Sequence, residues 1–155
     1  KLTKFKNSSI LKGASFALLH PSFSRLRSQS LKKQKTVQDI NFIAKEKTIL
    51  LLPGMFDEIG LVPLVLKSIS KLPNMKIIIA MSSTSKTTNS TKIFIKKTPH
   101  IELKLDEKNM AKLMLQSDLC IGAAGMSTWE RCCLGIPSNA GIFITVIAPF
   151  KYFST

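Results

Sequence analysis

The sequence predicts an α/β protein whose parallel sheet is covered by helices on both faces. Short, continuously apolar segments (ILLL, MKIIIAM, DLCIG) alternate with stretches of helical period, and unbroken apolar strands belong to sheets buried on both sides. The segment DLCIG then breaks into the small residues AAG directly before a helix start. A length of 155 residues with 45% hydrophobic content suits one domain with a core of its own.

The elements follow in order. Residues 1–12 are polar and basic without a clear period and read as a frayed start. Phe23, Leu26 and Ser30 then recur at helical spacing behind Pro21, with a basic outer face, so a short helix is expected up to Lys35. A linker through Ala44 leads to the core. There ILLL, the loop PGMFDEIG, the helix LVPLVLKSISKL with Leu61, Val65 and Ile69 on one face, and MKIIIAM make a βαβ unit. The Ser/Thr-rich residues 82–91 are a loop by composition, and residues 92–98 fit a helix or a strand. HIELKL is a strand, and EKNMAKLMLQS a helix with Met110, Leu113 and Met114 inward. DLCIG is the next strand, and the helix after it is closed by Gly135.

Composition narrows the function. The net charge of +14 is concentrated near the start, with 11 basic and 2 acidic residues in 1–48 against 12 and 7 in 49–155. One Trp and one Tyr leave no aromatic and basic interleaving of the kind that stacks bases, so no nucleic acid is expected as partner. The longest apolar run, residues 142–150, is nine residues, far short of the roughly 20 that span a bilayer, and no membrane anchor is expected. The chain begins with Lys1 and shows no leader pattern, so secretion is not expected and a piece of a longer protein is. Cys120, Cys132 and Cys133 fit no metal spacing and read as small buried side chains in a reducing cytoplasm. No cofactor is expected.

The candidate site is the turn of Gly122, Ala123, Ala124, Gly125, Met126, Ser127 and Thr128. Backbone N–H groups at a helix start are unpaired and lie at the positive end of the helix dipole, so they hold phosphate without a dedicated cation. Small residues let the ligand come close. Gly54, in the loop after the first core strand, belongs to the same edge of a parallel sheet, where ligands sit. Ser127 and Glu130 also have the S-x-x-E spacing of a capping box, and on the residues alone that structural role is favoured for Glu130.

Residues 117–137, SDLCIGAAGMSTWERCCLGIP, and above all WERCCLGIPS, resemble the C-terminal half of the UDP-2,4-diacetamido-2,4,6-trideoxy-β-L-altropyranose hydrolases of pseudaminic acid biosynthesis. GASFALLHPSFSRLR at 13–27, TILLLPGMFD at 48–57 and KNMAKLMLQSDL at 108–119 fall in the family's order, so the likeness covers residues 13–138. More distantly the chain is similar to the MurG-type glycosyltransferases. The resemblance implies a Rossmann-like, C-terminal domain of a GT-B architecture. Residues 1–44 would then form a basic extension and interdomain crossover, and 45–155 a UDP-sugar-binding domain cut short at its end. It further implies that Gly54 and residues 122–128 cradle the diphosphate, that Glu130 accepts the ribose hydroxyls, and that uracil lies near Leu105 and Met110. Met126 stands where the family carries Ser or Thr, and Leu52, Pro53 and Met55 depart from its Ser-Phe-Gly-Gly loop.

No catalytic residue is assigned. The family's hydrolysis uses a His from an N-terminal domain that has no counterpart here, and His20 and His100 fall elsewhere. The implied function is the UDP-sugar-binding half of a cytoplasmic nucleotide-sugar hydrolase, inactive alone and partnered by a separate N-terminal domain. Two rivals stay open, the donor-binding domain of a UDP-sugar glycosyltransferase and a non-catalytic basic binding module.

Overall fold

In the computed structural model, residues 9–36, 46–54, 56–57 and 60–139 are described. They form α1 (Pro21–Thr36), β1 (Lys47–Leu52), α2 (Leu61–Ile69), β2 (Met75–Met81), α3 (Thr88–Ile95), β3 (Ile101–Leu105), α4 (Met110–Gln116), β4 (Leu119–Gly122), α5 (Met126–Leu134) and β5 (Ser138–Asn139). The strands lie in the order β3-β2-β1-β4-β5, every neighbouring pair parallel. This is a Rossmann-like sheet.

Side-chain alternation divides the core. Ile49, Leu51, Ile77, Ile79, Met81, Ile101 and Ile121 point to one face, where Leu61, Val62, Val65 and Leu66 of α2 cover them. Leu50, Leu52, Ile78, Ala80 and Cys120 point to the other, against Phe23 of α1, Leu113 and Met114 of α4 and Leu134 of α5. Leu50 and Leu51 are fully buried, each removing apolar surface worth about 1.5–3 kcal/mol. The strands therefore read as continuous apolar runs because both of their faces are covered.

Two basic side chains of α1 and one serine bond to its neighbouring helices and loops. Lys33 Nζ donates to the carbonyls of Leu115 and Ser117 at 3.2 and 2.9 Å and pairs with Asp118 at 3.1 Å. Ser30 Oγ donates to Leu134 O at 2.7 Å, and Arg27 donates to Cys133 O. Donors of α1 thus satisfy carbonyls at the C-terminal ends of α4 and α5, which a helix leaves unpaired.

Two local expectations change. Part of the Ser/Thr-rich loop is helix, because α3 opens at Thr88, where Thr88 and Thr91 are buried and Thr88 Oγ1 donates to Ser82 O at 2.9 Å. Burial and that bond outweigh composition. Cys120 is buried as expected, Cys133 is partly buried, and Cys132 is exposed, since it lies on the outer face of α5. The expected boundary at 44–45, residues 1–8 of the start expected to fray over 1–12, Met55 and the tail beyond Asn139 lie outside the described residues. No helix among the described residues is long and apolar enough to cross a membrane.

Candidate functional site

Strand order places the site. β1 leads to α2 on one face of the sheet, whereas its neighbour β4 leads to α5 on the other. Loops leaving two adjacent strands in opposite directions open a crevice at their carboxyl ends, where open α/β sheets bind ligands. The β1–α2 loop carries Gly54 and the β4–α5 turn carries residues 123–125. They come close here: a Cβ on Gly54 would lie 3.6 Å from that of Ala123.

The turn is fixed from several directions. Ala123 N–H donates to Leu52 O at 2.9 Å, which ties the turn to the end of β1. Gly125, with φ 153° and ψ −156°, occupies a region open in practice only to glycine. Its N–H donates to Thr128 Oγ1 at 3.3 Å, while Thr128 N–H donates back to its carbonyl at 3.0 Å. The helix cap therefore joins Gly125 and Thr128. The expected capping box of Ser127 and Glu130 does not form, because α5 starts two residues earlier than that box requires and Glu130 is its fifth residue. The N–H groups of Met126 and Ser127 open the helix with no intrahelical acceptor.

Beside this helix start lies a cleft of about 440 Å³, lined by Leu52, Gly54, Met110, Ser127 and Glu130, with Asp106 and Glu107 also on its wall. Glu130 is half-buried there, and loss of hydration pushes its carboxyl above the ordinary glutamate range, with the neighbouring Arg131 pulling the other way. Asp106 accepts a hydrogen bond from Ser83 N–H at 3.0 Å, and its bonds with Ser83 hold its carboxyl below the usual range. Met110 lines the cleft. Leu105 does not, since it packs with the α2 side of the sheet, so the structure separates the two residues expected near uracil. A larger groove of about 840 Å³ lies between α1 and α4, but none of its lining residues belongs to a strand or to the turn, and its Lys33 is already engaged by Asp118.

The two histidines serve local structure. His20 Nδ1 accepts from Ser22 N–H at 3.3 Å at the start of α1, and His100 Nε2 lies 2.9 Å from Ser70 O just before β3, at the amino end of the strands, whereas the cleft is at their carboxyl end. Two residues emerge that sequence reading passed over. Asp57, buried, accepts from Leu61 N–H at 2.6 Å, Val62 N–H at 3.2 Å and Thr87 Oγ1 at 2.5 Å, and so anchors the β1–α2 loop. Arg131, 1% exposed, donates through Nη2 to Ala123 O at 3.2 Å and to Thr128 Oγ1 at 3.1 Å. Its signal was available: Ser127, Glu130, Arg131 and Leu134 recur at i, i+3, i+4 and i+7, which puts two charged side chains on one stripe of a helix.

No protein-family model matches the chain. Over 134 residues, 84% of its length, the chain is 28% identical to the spore coat polysaccharide biosynthesis protein SpsG of Bacillus subtilis (strain 168). It spans 37% of that protein's length.

Proposed function

We propose that this domain binds a UDP-sugar across the β1/β4 switch point, as the nucleotide-binding part of an enzyme of sugar biosynthesis. The observation that carries the reading is the meeting of the Gly54 loop with the turn of residues 122–128, beside the half-buried Glu130. The diphosphate lies over the turn, against the free N–H groups of Met126 and Ser127 and the positive end of α5. Glu130 accepts from the ribose hydroxyls, for which a carboxylate offers two acceptor oxygens and no competing donor. The base lies toward Met110. The likeness to a coat polysaccharide biosynthesis protein supports a sugar substrate.

The reaction is hydrolysis of the bond between the anomeric carbon and UDP, a reading that rests on WERCCLGIPS. Transfer of the same sugar to an acceptor uses the same donor site and is the second reading, favoured by the Rossmann-like architecture it shares. For hydrolysis the general base is taken to be a His of a second domain, as the resemblance implies, and neither histidine of this chain lines the cleft. Titration calorimetry with UDP, UMP and UDP-sugars tests the binding step. UDP is expected to bind tighter than UMP, and equal affinities would remove the diphosphate from the reading. Adding a separately expressed N-terminal domain of the hydrolase family tests the chemistry, through release of free sugar.

A further inference from the structure

Arg131 presents an electrostatic imbalance directly beneath the turn. Its side chain is 1% exposed, and only Nη2 is hydrogen-bonded, to Ala123 O and Thr128 Oγ1. Nε and Nη1 are buried without a hydrogen-bond partner among the described residues. The carboxyl of Glu130 feels this charge, but no carboxylate forms an ion pair with the guanidinium among those residues. An arginine cannot shed its proton, so the charge persists, and a buried ion without an ion-pair partner is costly to the fold. The slot is built around it: a Cβ on Gly122 would lie 2.7 Å from Nη1, so glycine at the end of β4 is what admits the guanidinium.

We propose that Arg131 is a positioning residue for the anion, a buried cation that fixes the turn from below and whose unbalanced charge is offset when a diphosphate binds above it. This rests on the nucleotide-binding reading and deepens it, because it assigns the site's positive charge to a side chain that the ligand does not touch. Two features of the geometry serve that role. The fork holds Ala123 and Thr128, one on each side of Gly125. The field of a desolvated cation acts through protein rather than water, where it is weakened far less. The device also accounts for a phosphate site whose turn, residues 122–128, contains no Lys or Arg.

The test uses the full chain and three forms, the parent, Arg131→Lys and Arg131→Met, with folding checked by circular dichroism and affinity for inorganic pyrophosphate, UDP and UMP measured by calorimetry. Arg131→Lys, which keeps the charge, is expected to bind pyrophosphate within about threefold of the parent, whereas folded Arg131→Met loses about tenfold or more. The loss is expected to be larger for UDP than for UMP, since it follows ligand charge; a merely misplaced turn would weaken both alike. Folded Arg131→Met that binds pyrophosphate like the parent overturns the proposal, as do equal losses in the Lys and Met forms. Should Arg131→Met fail to fold, Arg131→Lys decides by itself, a tenfold loss overturning the idea and retention upholding it. A parent that binds pyrophosphate but not UDP removes the nucleotide reading and leaves the anion site standing. A parent that binds neither overturns both.

Discussion

Gly122 and Arg131 share one space: a Cβ on Gly122 would stand 2.7 Å from Arg131 Nη1, 2.7 Å from Leu52 O and 2.9 Å from Leu52 Cβ. Two of these three neighbours cannot yield, one being backbone and the other the stem of a core residue. Gly122→Ala is therefore expected to destabilise the protein by about 1–3 kcal/mol, as overpacking does. The same displacement would move Arg131 and the turn it holds, so UDP binding should weaken as well. Urea denaturation of parent and variant measures the first effect. A variant as stable as its parent would mean that β4 ends farther from β1 than described.

Asp57 anchors the other loop of the site. Its carboxylate accepts three hydrogen bonds inside the protein, two from the first turn of α2 and one from Thr87 ahead of α3. Asp57→Ala leaves those donors without their acceptor, and hydrogen bonds to a charged group contribute about 1.5–3 kcal/mol each. Part of that is recovered by water, so a net loss of about 2–3 kcal/mol is expected. Thermal melting followed by circular dichroism checks it. Because this loop carries Gly54, UDP affinity should fall with stability, and a stable variant with parental affinity would detach Asp57 from the site.

The cysteines offer a readout that needs no ligand. Burial pushes the Cys120 thiol up to about 12, so at neutral pH it is protonated and sealed within the core. Cys132 is exposed on α5 and Cys133 is partly buried. Thiolate fraction and access set the rate of disulfide exchange. One fast reaction with a thiol reagent is expected at Cys132, a slower one at Cys133, and none at Cys120 until denaturant unfolds the chain. Mass mapping of the first modified site decides the matter, and early labelling of Cys120 would contradict the placement of β4.

Strands β1 to β4 and most helices were legible in the sequence, because a strand buried on both faces, such as 49–52 or 77–81, can only be written in apolar residues, whereas β5, two exposed residues, carries no such pattern. α3 was not legible, since its Ser and Thr residues favour turns locally and are recruited to a helix only by the burial of Thr88 and Thr91. The turn of residues 122–128 was legible as a feature, whereas its cap was misplaced by two residues: Ser127 and Glu130 have the spacing of a box, but Thr128 closes it with Gly125. Periodicity placed Arg131 on the inward stripe of α5 but did not explain it. A charged residue on the inward stripe of a helix contradicts the pattern that identifies the helix, and only the slot left by Gly122 shows how it is admitted.

Glu130 gives the sharpest test, because its structural role as a cap is gone and its remaining surroundings are the cleft. Removal from water raises its carboxyl pKa above the ordinary value of 4.5, opposed in part by Arg131. With the folded pKa above the unfolded one, the native state holds the proton more tightly. The protonated group thus contributes stability that is fully present below the unfolded pKa and is lost as pH rises through the raised folded pKa. At neutral pH the ionised side chain is therefore a cost to folding, and Glu130→Gln should be at least as stable as the parent, with the difference disappearing as pH falls toward 4.5. Binding should move the opposite way. The ionised carboxylate is the acceptor for the ribose, so Glu130→Gln at neutral pH should lose about 1–2 kcal/mol of UDP affinity, or roughly five- to thirtyfold. On acidification the parent should lose affinity at a pH above the ordinary carboxylate range, while the variant shows only the titration of the ligand's own phosphates. Calorimetric titrations of both proteins at several values between neutral pH and 4.5 separate the two contributions by subtraction. Parallel curves for parent and variant would remove Glu130 from nucleotide recognition, and a less stable variant at neutral pH would show that its ionised form is held by a partner rather than by the cleft.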